Sequence, residues 1–414
     1  MKYFKLYPTV KFLKSKNNSC IYDFSSGQMI KLNSELSEIL YKCEKNEPID
    51  DDIKVNEFLS TLEEMEIGCY KNTISYEEGF ENTMSNIKCK MVPSNNFINK
   101  VFIELGSECN FNCIFCNTDN KLYRKTGCKR WSPYESKLEL EDWSKILQDL
   151  SYLKAKQLCF IGGNPLLKFE YIKEIIELSL KYGFKYFLIY TNGSSINDEM
   201  IKFFKKYDVA LNIQIISFNK ETLRKISDKA INLEEIENNI RLLNNENINT
   251  IYELLITKYN ENEIEEIKLI LKDKYKIDSL KIEYIHNHPG NSHSSDKYVN
   301  DIYDRCSTFP KVTSDRFNYL QMWNYCLKGQ CTIKENGDIL ICPMLRSKIF
   351  GNIKECSIQE IINTDEYQQY ENISKNSIDK CKDCSYRFNC SDCRAIEISA
   401  TNNPYGLEYC NIGE

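Results

Sequence analysis

Glu104-Leu105-Gly106-Ser107-Glu108-Cys109-Asn110-Phe111-Asn112-Cys113-Ile114-Phe115-Cys116-Asn117 is the stretch whose reading decides the fold. It places Cys109, Cys113 and Cys116 in a Cys-x3-Cys-x2-Cys loop directly behind the apolar run Val101-Phe102-Ile103. Iron–sulfur cubanes are usually held by four thiolates. Three thiolates in one tight loop can hold three irons and leave the fourth open to an outside ligand. The same three cysteines also suit a zinc site completed by a histidine or a distant cysteine. The loop by itself leaves both readings open.

Bulk properties narrow the setting. A chain of 414 residues is too long for one ordinary domain and suggests two or three. A hydrophobic share of 42% is enough for packed cores. The net charge of −6 argues against nucleic acid or an anionic membrane as partner. No apolar run reaches the length of a membrane span, and Met1-Lys2-Tyr3-Phe4 begins no signal peptide. A cytoplasmic, reducing location is therefore expected. Nineteen cysteines there are poorly explained as disulfides, and metal or cluster ligation is the better account.

From residue 97 to 300, apolar runs alternate with segments of helical period. Strands are expected at Lys100–Leu105, Leu158–Ile161, Tyr186–Tyr190, Leu211–Ile216, Ile251–Ile256 and Leu280–Ile285. The spacing of Ile172, Ile175 and Ile176, and of Ile264, Ile267 and Leu271, places helices between them. Repeated βα units imply a parallel sheet with helices outside, whose chemistry sits on the loops after strand C-termini. The three-cysteine loop follows the first strand, where a site is expected. The second strand runs into Ile161-Gly162-Gly163-Asn164-Pro165, where glycines let backbone approach a ligand closely. Thr191-Asn192-Gly193 follows the third strand and Ser217 the fourth. Cys159 lies inside an apolar strand and is expected in the core. Lys121, Arg124, Lys125, Lys129 and Arg130 mark a solvated charged loop over the barrel mouth. His286, His288 and His293 lie together after the last strand, as loop residues rather than a metal site.

The C-terminus carries a second cysteine block. Cys331 to Cys342 reads as a hairpin turning at Asn336-Gly337, the strongest short-range hairpin signal. A two-residue loop pairs 335 with 338 and, counting outward, Cys331 with Cys342, their Cβ atoms about 5 Å apart. Cys326 lies just upstream, and Cys381-x2-Cys384-x5-Cys390-x2-Cys393 and Cys410 follow. Eight thiolates are enough for two fully ligated sites. Taken alone, the Cys-x2-Cys pairs also read as zinc ligands.

Taken with the loop at Cys109, this pattern resembles the radical S-adenosylmethionine (SAM) enzymes that carry a SPASM extension, across about 315 residues. The resemblance implies a partial (β/α)6 TIM-type barrel and three 4Fe–4S clusters. Cys109, Cys113 and Cys116 would hold the cluster whose open iron is chelated by SAM. Its reduction would release a 5′-deoxyadenosyl radical that abstracts hydrogen from the substrate. Cys326, Cys331, Cys342 and Cys393 would ligate a first auxiliary cluster. Cys381, Cys384, Cys390 and Cys410 would ligate a second. Gly162, Gly163, Asn164 and Pro165 stand where the family has Gly-Gly-Glu-Pro, which holds the amino group of SAM. Asn164 brings an amide oxygen there but no charge. Phe115 matches an aromatic near the adenine, Asn192 belongs to the usual end of the third strand, and Ser217 matches a ribose contact. No general base can be named from the sequence.

The first 75 residues read as short strands at Thr9–Leu13, Ser19–Phe24, Gln28–Leu32 and Ile67–Tyr70 with two helical segments. One helix, capped by Asn33-Ser34, carries Leu36, Ile39 and Leu40; the other, Val55–Met65, carries Phe58, Leu59 and Leu62. This winged-helix-like plan, with Tyr22-Asp23-Phe24-Ser25-Ser26-Gly27 and Ile30-Lys31-Leu32-Asn33, resembles the PqqD-like peptide-chaperone fold that recognises leader peptides. In that fold a leader adds as a strand to an exposed sheet edge. The expected organisation is a leader-recognition domain at 1–75, a linker at 76–96, the barrel at 97–300, a bridging segment at 301–325 and the SPASM domain at 326–414.

The function implied is modification of a ribosomally made precursor peptide, closing a thioether or carbon–carbon crosslink. The partners implied are the precursor, bound through its leader, and a flavodoxin- or ferredoxin-type electron donor. Two rivals stand beside it: a SPASM enzyme oxidising a protein Cys or Ser or a non-peptide metabolite, and a zinc-braced binding protein without redox chemistry.

Overall fold

The computed structural model describes residues 2–16, 18–74, 97–116, 122–123, 130, 137–227, 229, 231–284, 286–287, 310–390, 392–408 and 410. The expected linker, most of the 121–137 loop with Cys128, His288, His293, Cys89, Cys306 and the start of the bridging segment lie outside the described residues.

At the N-terminus, β1 (Tyr3–Leu6) pairs antiparallel with β5 (Gly68–Lys71). β2 (Val10–Lys14), β3 (Ser19–Asp23) and β4 (Gln28–Leu32) form a separate antiparallel sheet. The strand β1 is absent from the sequence expectation because four residues before a turn carry too little pattern to register. Helix α1 (Ser34–Glu44) starts where Asn33 accepts the Leu36 N–H at 2.9 Å, and α2 (Ile53–Glu64) starts at Asp52. Leu40, Leu59 and Leu62 pack on Phe12 and Ile21 across one face of the sheet. The other face presents Cys20 and Tyr22 to Val312, Phe317, Leu320, Tyr386 and Phe388 of the C-terminal region. Both faces of β3 are therefore covered, and all five of its residues are buried.

The central body is built on six parallel strands: β6 (Lys100–Glu104), β8 (Gln157–Ile161), β9 (Tyr186–Thr191), β10 (Val209–Ile215), β11 (Thr250–Ile256) and β12 (Lys281–Tyr284). Sequence neighbours are spatial neighbours throughout, as βα units require. Between and beside them run α3 (Leu140–Tyr152), α4 (Phe169–Leu180), α5 (Asp198–Tyr207), α6 (Lys220–Ile226), α7 (Leu233–Asn245) and α8 (Ile264–Tyr275). Alternation divides the strands: Val101, Ile103 and Ile189 join the main core, while Phe102, Cys159, Ile161, Leu188 and Tyr190 form a separate cluster on the opposite face. Cys159 is fully buried, as expected of a core residue. A short antiparallel pair, β7 (Leu122–Tyr123) with β13 (His286–Asn287), joins the segment after the cysteine loop to the segment after β12.

The sheet does not end at β6. Strand β14 (Gln330–Ile333) pairs parallel with β6, and β15 (Asp338–Leu340) and β16 (Gly351–Asn352) follow antiparallel, giving nine strands in one sheet. The C-terminal hairpin is thus a continuation of the barrel sheet rather than a separate body. Its turn corrects the expected register. Thr332 pairs with Leu340 and Ile333 with Ile339, so the line of pairing puts Ile341, not Cys342, opposite Cys331. Gly337 donates to the Lys334 carbonyl at 2.9 Å with φ +93°, closing a three-residue loop with glycine in the left-handed position. Asn336 instead bonds Asp338, its amide at 2.9 Å from the carboxylate. One extra loop residue moves every later pairing by one.

Beyond the hairpin lie α10 (Ile358–Ile362), α11 (Asp365–Glu371), α12 (Asp379–Lys382) and α13 (Arg394–Thr401), with α9 (Ser314–Met322) before it. No helix among the described residues is long and apolar enough to cross a membrane.

Candidate metal centre and cofactor site

The cysteine loop begins where β6 ends and is zipped to the glycine turn after β8. Gly163 donates to the Gly106 carbonyl at 3.1 Å, and Asn164 donates to the Glu108 carbonyl at 2.7 Å. A Cβ on Gly162 would lie 2.5 Å from the Gly106 oxygen, and one on Gly163 only 2.0 Å from the Glu108 oxygen. The two glycines are needed because the cysteine loop's own backbone approaches them; the sequence expectation credited a ligand with that approach. Gly106, at φ +104°, faces the Glu335 carboxylate and the Lys168 ammonium, so the tip of the C-terminal hairpin also rests on this loop.

Cys109, Cys113 and Cys116 open onto one small pocket, shared with Phe111, Phe115, Arg130, Gly163, Asn192 and Gln214. Burial pushes the Cys109 thiol up, with the nearby Cys116 adding to it; the Phe111 N–H, Arg130 and Asn192 pull the other way. The Asn192 amide donates to the Cys109 sulfur at 3.8 Å, and the Arg130 N–H to the Cys116 sulfur at 3.1 Å. Donors aimed at sulfur stabilise thiolates over thiols. Three convergent thiols with such donors, and no carboxylate on the cavity wall among the described residues, fit an iron–sulfur cluster with one open coordination position.

A polar lattice positions this loop. The Thr191 hydroxyl donates to Asn164 Oδ1 at 2.8 Å, and Asn164 Nδ2 donates to Asn110 Oδ1 at 3.2 Å. Asn192 also donates to Asn110 Oδ1 at 2.9 Å, and Asn110 donates to the Ser194 hydroxyl at 2.7 Å. Asn164, Asn192 and Ser194 are each about 2% exposed. Asn164 is therefore a bridge between the β9 end and the residue after Cys109, with one lone pair of its oxygen already used. Asn110 escaped the sequence reading although it adjoins the first cysteine; a polar side chain there gives no periodic signal.

The remaining expected contacts fall as follows. Phe115, 3% exposed, belongs to the core and also lines the cavity. Pro165 opens a short 3-10 turn, Pro165–Lys168, behind Asn164. Ser217 donates to Glu263, in the turn after β11, and accepts the Asn219 N–H at 2.8 Å, so its hydroxyl is already engaged by two protein partners. Arg130, expected in a solvated charged loop, instead turns inward and donates to Asn112 at 2.7 Å. Gln214, missed by the sequence reading, lines the cavity; polar Asn212 and Gln214 alternating in an otherwise apolar strand were its available signal.

In the C-terminal region two groups of thiols emerge. Burial raises Cys326 far up, with Cys393 and Cys342 adding to it; burial raises Cys342 to about 12, with Cys393 adding to it. These three are close enough to act on one another. Cys331 is lifted to about 12 by burial and by Glu371, beside Tyr367. In the second group burial raises Cys381 to about 12, with Cys390 contributing; burial also raises Cys384, with Cys390 and Cys410 contributing. Lys375, 2% exposed, brings a buried cation to this group. Burial would lower it, but Asp392, at 3.1 Å, and the Cys390 and Cys381 thiols hold it well up.

Residues 103–270 match the family model of the radical SAM superfamily, and residues 325–385 that of SPASM, an iron–sulfur cluster-binding domain. The chain thus carries a radical SAM domain followed by an SPASM iron–sulfur cluster-binding domain. Among curated relatives, the cysteine-type anaerobic sulfatase-maturating enzyme of Clostridium novyi is 24% identical over 335 residues, 70% of this chain and 86% of its own length. The solved structure of native anSMEcpe with bound AdoMet aligns at TM-score 0.58 and 17% identity, over 75% of this chain and 93% of that one. Streptococcus suis SuiB bound to precursor peptide SuiA aligns at TM-score 0.55 and 15% identity, over 98% of each chain.

Proposed function

We propose that this enzyme modifies a ribosomally made precursor peptide, closing a thioether or carbon–carbon crosslink on it. The observation that carries the proposal is the pairing of the three-thiol cavity with an N-terminal module whose β4 strand has no strand partner on its outer side among the described residues. Such an edge accepts an extended leader segment by main-chain hydrogen bonds. Support comes from SuiB, solved with its precursor peptide and aligned over nearly the whole of this chain, whereas anSMEcpe aligns over three quarters.

In this reading Cys109, Cys113 and Cys116 hold the SAM-binding 4Fe–4S cluster. Cys326, Cys331, Cys342 and Cys393 hold the first auxiliary cluster, and Cys381, Cys384, Cys390 and Cys410 the second. The cluster and SAM, when bound, supply a 5′-deoxyadenosyl radical that abstracts hydrogen. The chain's own part is positional. Asn192 and Arg130 stabilise the thiolates, Asn164 and Asn110 fix the loop, and Phe115 with Gln214 walls the cavity. Electrons come from a flavodoxin- or ferredoxin-type donor.

A search of the neighbouring DNA for a short reading frame, then anaerobic co-expression with the encoded peptide and mass spectrometry, tests the reading. Loss of hydrogens in pairs from the peptide is expected, and its abolition when Cys109, Cys113 and Cys116 become Ala. An unchanged peptide with full reductive SAM cleavage would move the substrate to another class. Purification with zinc and no iron would end the radical reading altogether.

A further inference from the structure

The polar groups on one face of β3, with Asn18 just before it, converge on the C-terminal pair Cys384-Ser385. Asn18, Cys20 and Tyr22 alternate at two-residue spacing and so point the same way. The Tyr22 hydroxyl donates to the Ser385 carbonyl at 2.7 Å, and the Cys20 thiol donates to the same oxygen at 3.4 Å. Asn18 Oδ1 accepts the Ser385 N–H and the Ser385 hydroxyl, each at 2.7 Å. With its acceptor so fixed, the Asn18 amide nitrogen is aimed at its neighbour and donates to the Cys384 sulfur at 3.5 Å.

The rest of the contact holds this geometry rigid. Phe317 stands 4.9 Å from the Tyr22 ring, 5.3 Å from Phe24 and 4.8 Å from Phe388. The Val312 N–H donates to the Gly27 carbonyl at 2.8 Å. Tyr22, Cys20 and Ser385 are each fully buried. The N-terminal module is therefore fitted against the very turn that carries Cys384.

We infer that Asn18 is a positioning residue for the second auxiliary cluster: its amide donates a hydrogen bond to the Cys384 thiolate and raises that cluster's reduction potential. The inference rests on the assignment of Cys381, Cys384, Cys390 and Cys410 to one cluster. Its physical basis is that reduction adds negative charge to the cluster and its thiolates, so a hydrogen-bond donor on sulfur favours the reduced form. The donor comes from outside the SPASM domain. A segment that binds to or shifts the three-stranded sheet would then alter an electron-carrying centre through one side chain.

The test uses the full chain with Cys109, Cys113 and Cys116 replaced by Ala, so that only auxiliary clusters remain, and follows both by EPR-monitored redox titration. Asn18→Ala is expected to move one of the two midpoint potentials to more negative values and leave the other in place. Asn18→Asp keeps the acceptor for Ser385 but puts negative charge near the sulfur, so the same potential is expected to fall further. Tyr22→Phe, which loosens the contact without touching sulfur, is expected to move neither. An unmoved potential in Asn18→Ala and Asn18→Asp at full iron content would overturn the inference, as would an equal shift in Tyr22→Phe. If Cys384→Ala loses no iron, the cluster assignment itself falls, and the inference with it.

Discussion

Arg346, four residues beyond Cys342, places its guanidinium on the carboxylate of Glu104, with one N–O contact at 3.3 Å and a shorter second one. Glu104 is the last residue of β6, its side chain fully buried, and the cysteine loop starts immediately after it. The pair joins the segment just after Cys342 to the strand that leads into the three-cysteine loop. Removing the guanidinium leaves a buried carboxylate uncompensated. Arg346→Leu is expected to destabilise the chain by roughly 3 kcal/mol, and Glu104→Gln in the same chain to recover much of it. Anaerobic urea denaturation of the single and double variants checks both.

Asn164 gives a second prediction. Its amide spans Thr191 and Asn110, and its removal leaves the buried Thr191 and the half-buried Asn110 each short of a bond. Asn164→Ala is expected to weaken SAM binding about tenfold, the equivalent of ~1.4 kcal/mol. Thr191→Val, which frees one end of the amide but leaves it present, is expected to weaken binding less. Anaerobic equilibrium dialysis with labelled SAM reads both; equal losses would mean that Asn164 acts only by bracing the loop.

The hairpin register bears on the proposed first auxiliary cluster. Cys331 has Ile341 opposite it and Glu371 as its charge neighbour, while Cys326, Cys342 and Cys393 act on one another. As the fourth proposed ligand, Cys331→Ala is expected to lose the same iron that Cys326→Ala loses. Iron and sulfide measured per chain after anaerobic purification decides it. Full iron in Cys331→Ala beside a loss in Cys326→Ala would remove Cys331 from the ligand set.

Much of the barrel was legible because its strands are continuous apolar runs bounded by turn residues, and each expected strand lies within about two residues of the observed one. The short interval between Cys109, Cys113 and Cys116 pointed to a shared site, and the three do line one pocket. What escaped depends on contacts between distant segments. Neither the addition of β14 to β6, nor Glu104 with Arg346, nor Asn18 with Cys384 leaves a periodic trace in the chain. The hairpin was recognised but misregistered, because Asn-Gly serves both a two-residue and a three-residue loop, and only the Lys334–Gly337 hydrogen bond distinguishes them.

Cys159 yields a prediction about pH. It lies among Phe102, Leu188 and Tyr190, away from the cysteine groups, and burial lifts its thiol to about 12. In the unfolded chain the same thiol titrates near its ordinary value of 9.0. Below that value both states hold the proton and stability does not depend on it. Between the two values only the folded state keeps it, so the stability that Cys159 contributes is lost as pH rises toward 12, by up to about 1.4 kcal/mol per pH unit. Cys159→Ala is expected to cost roughly 1–2 kcal/mol at neutral pH through lost packing, and to flatten the alkaline decline relative to the parent chain. Urea midpoints measured from pH 7 to 10.5 test this. A variant as steeply alkali-sensitive as the parent would assign the decline to other buried groups, of which Tyr190, raised first by burial and then by Cys159, Glu253 and Glu283, is the nearest.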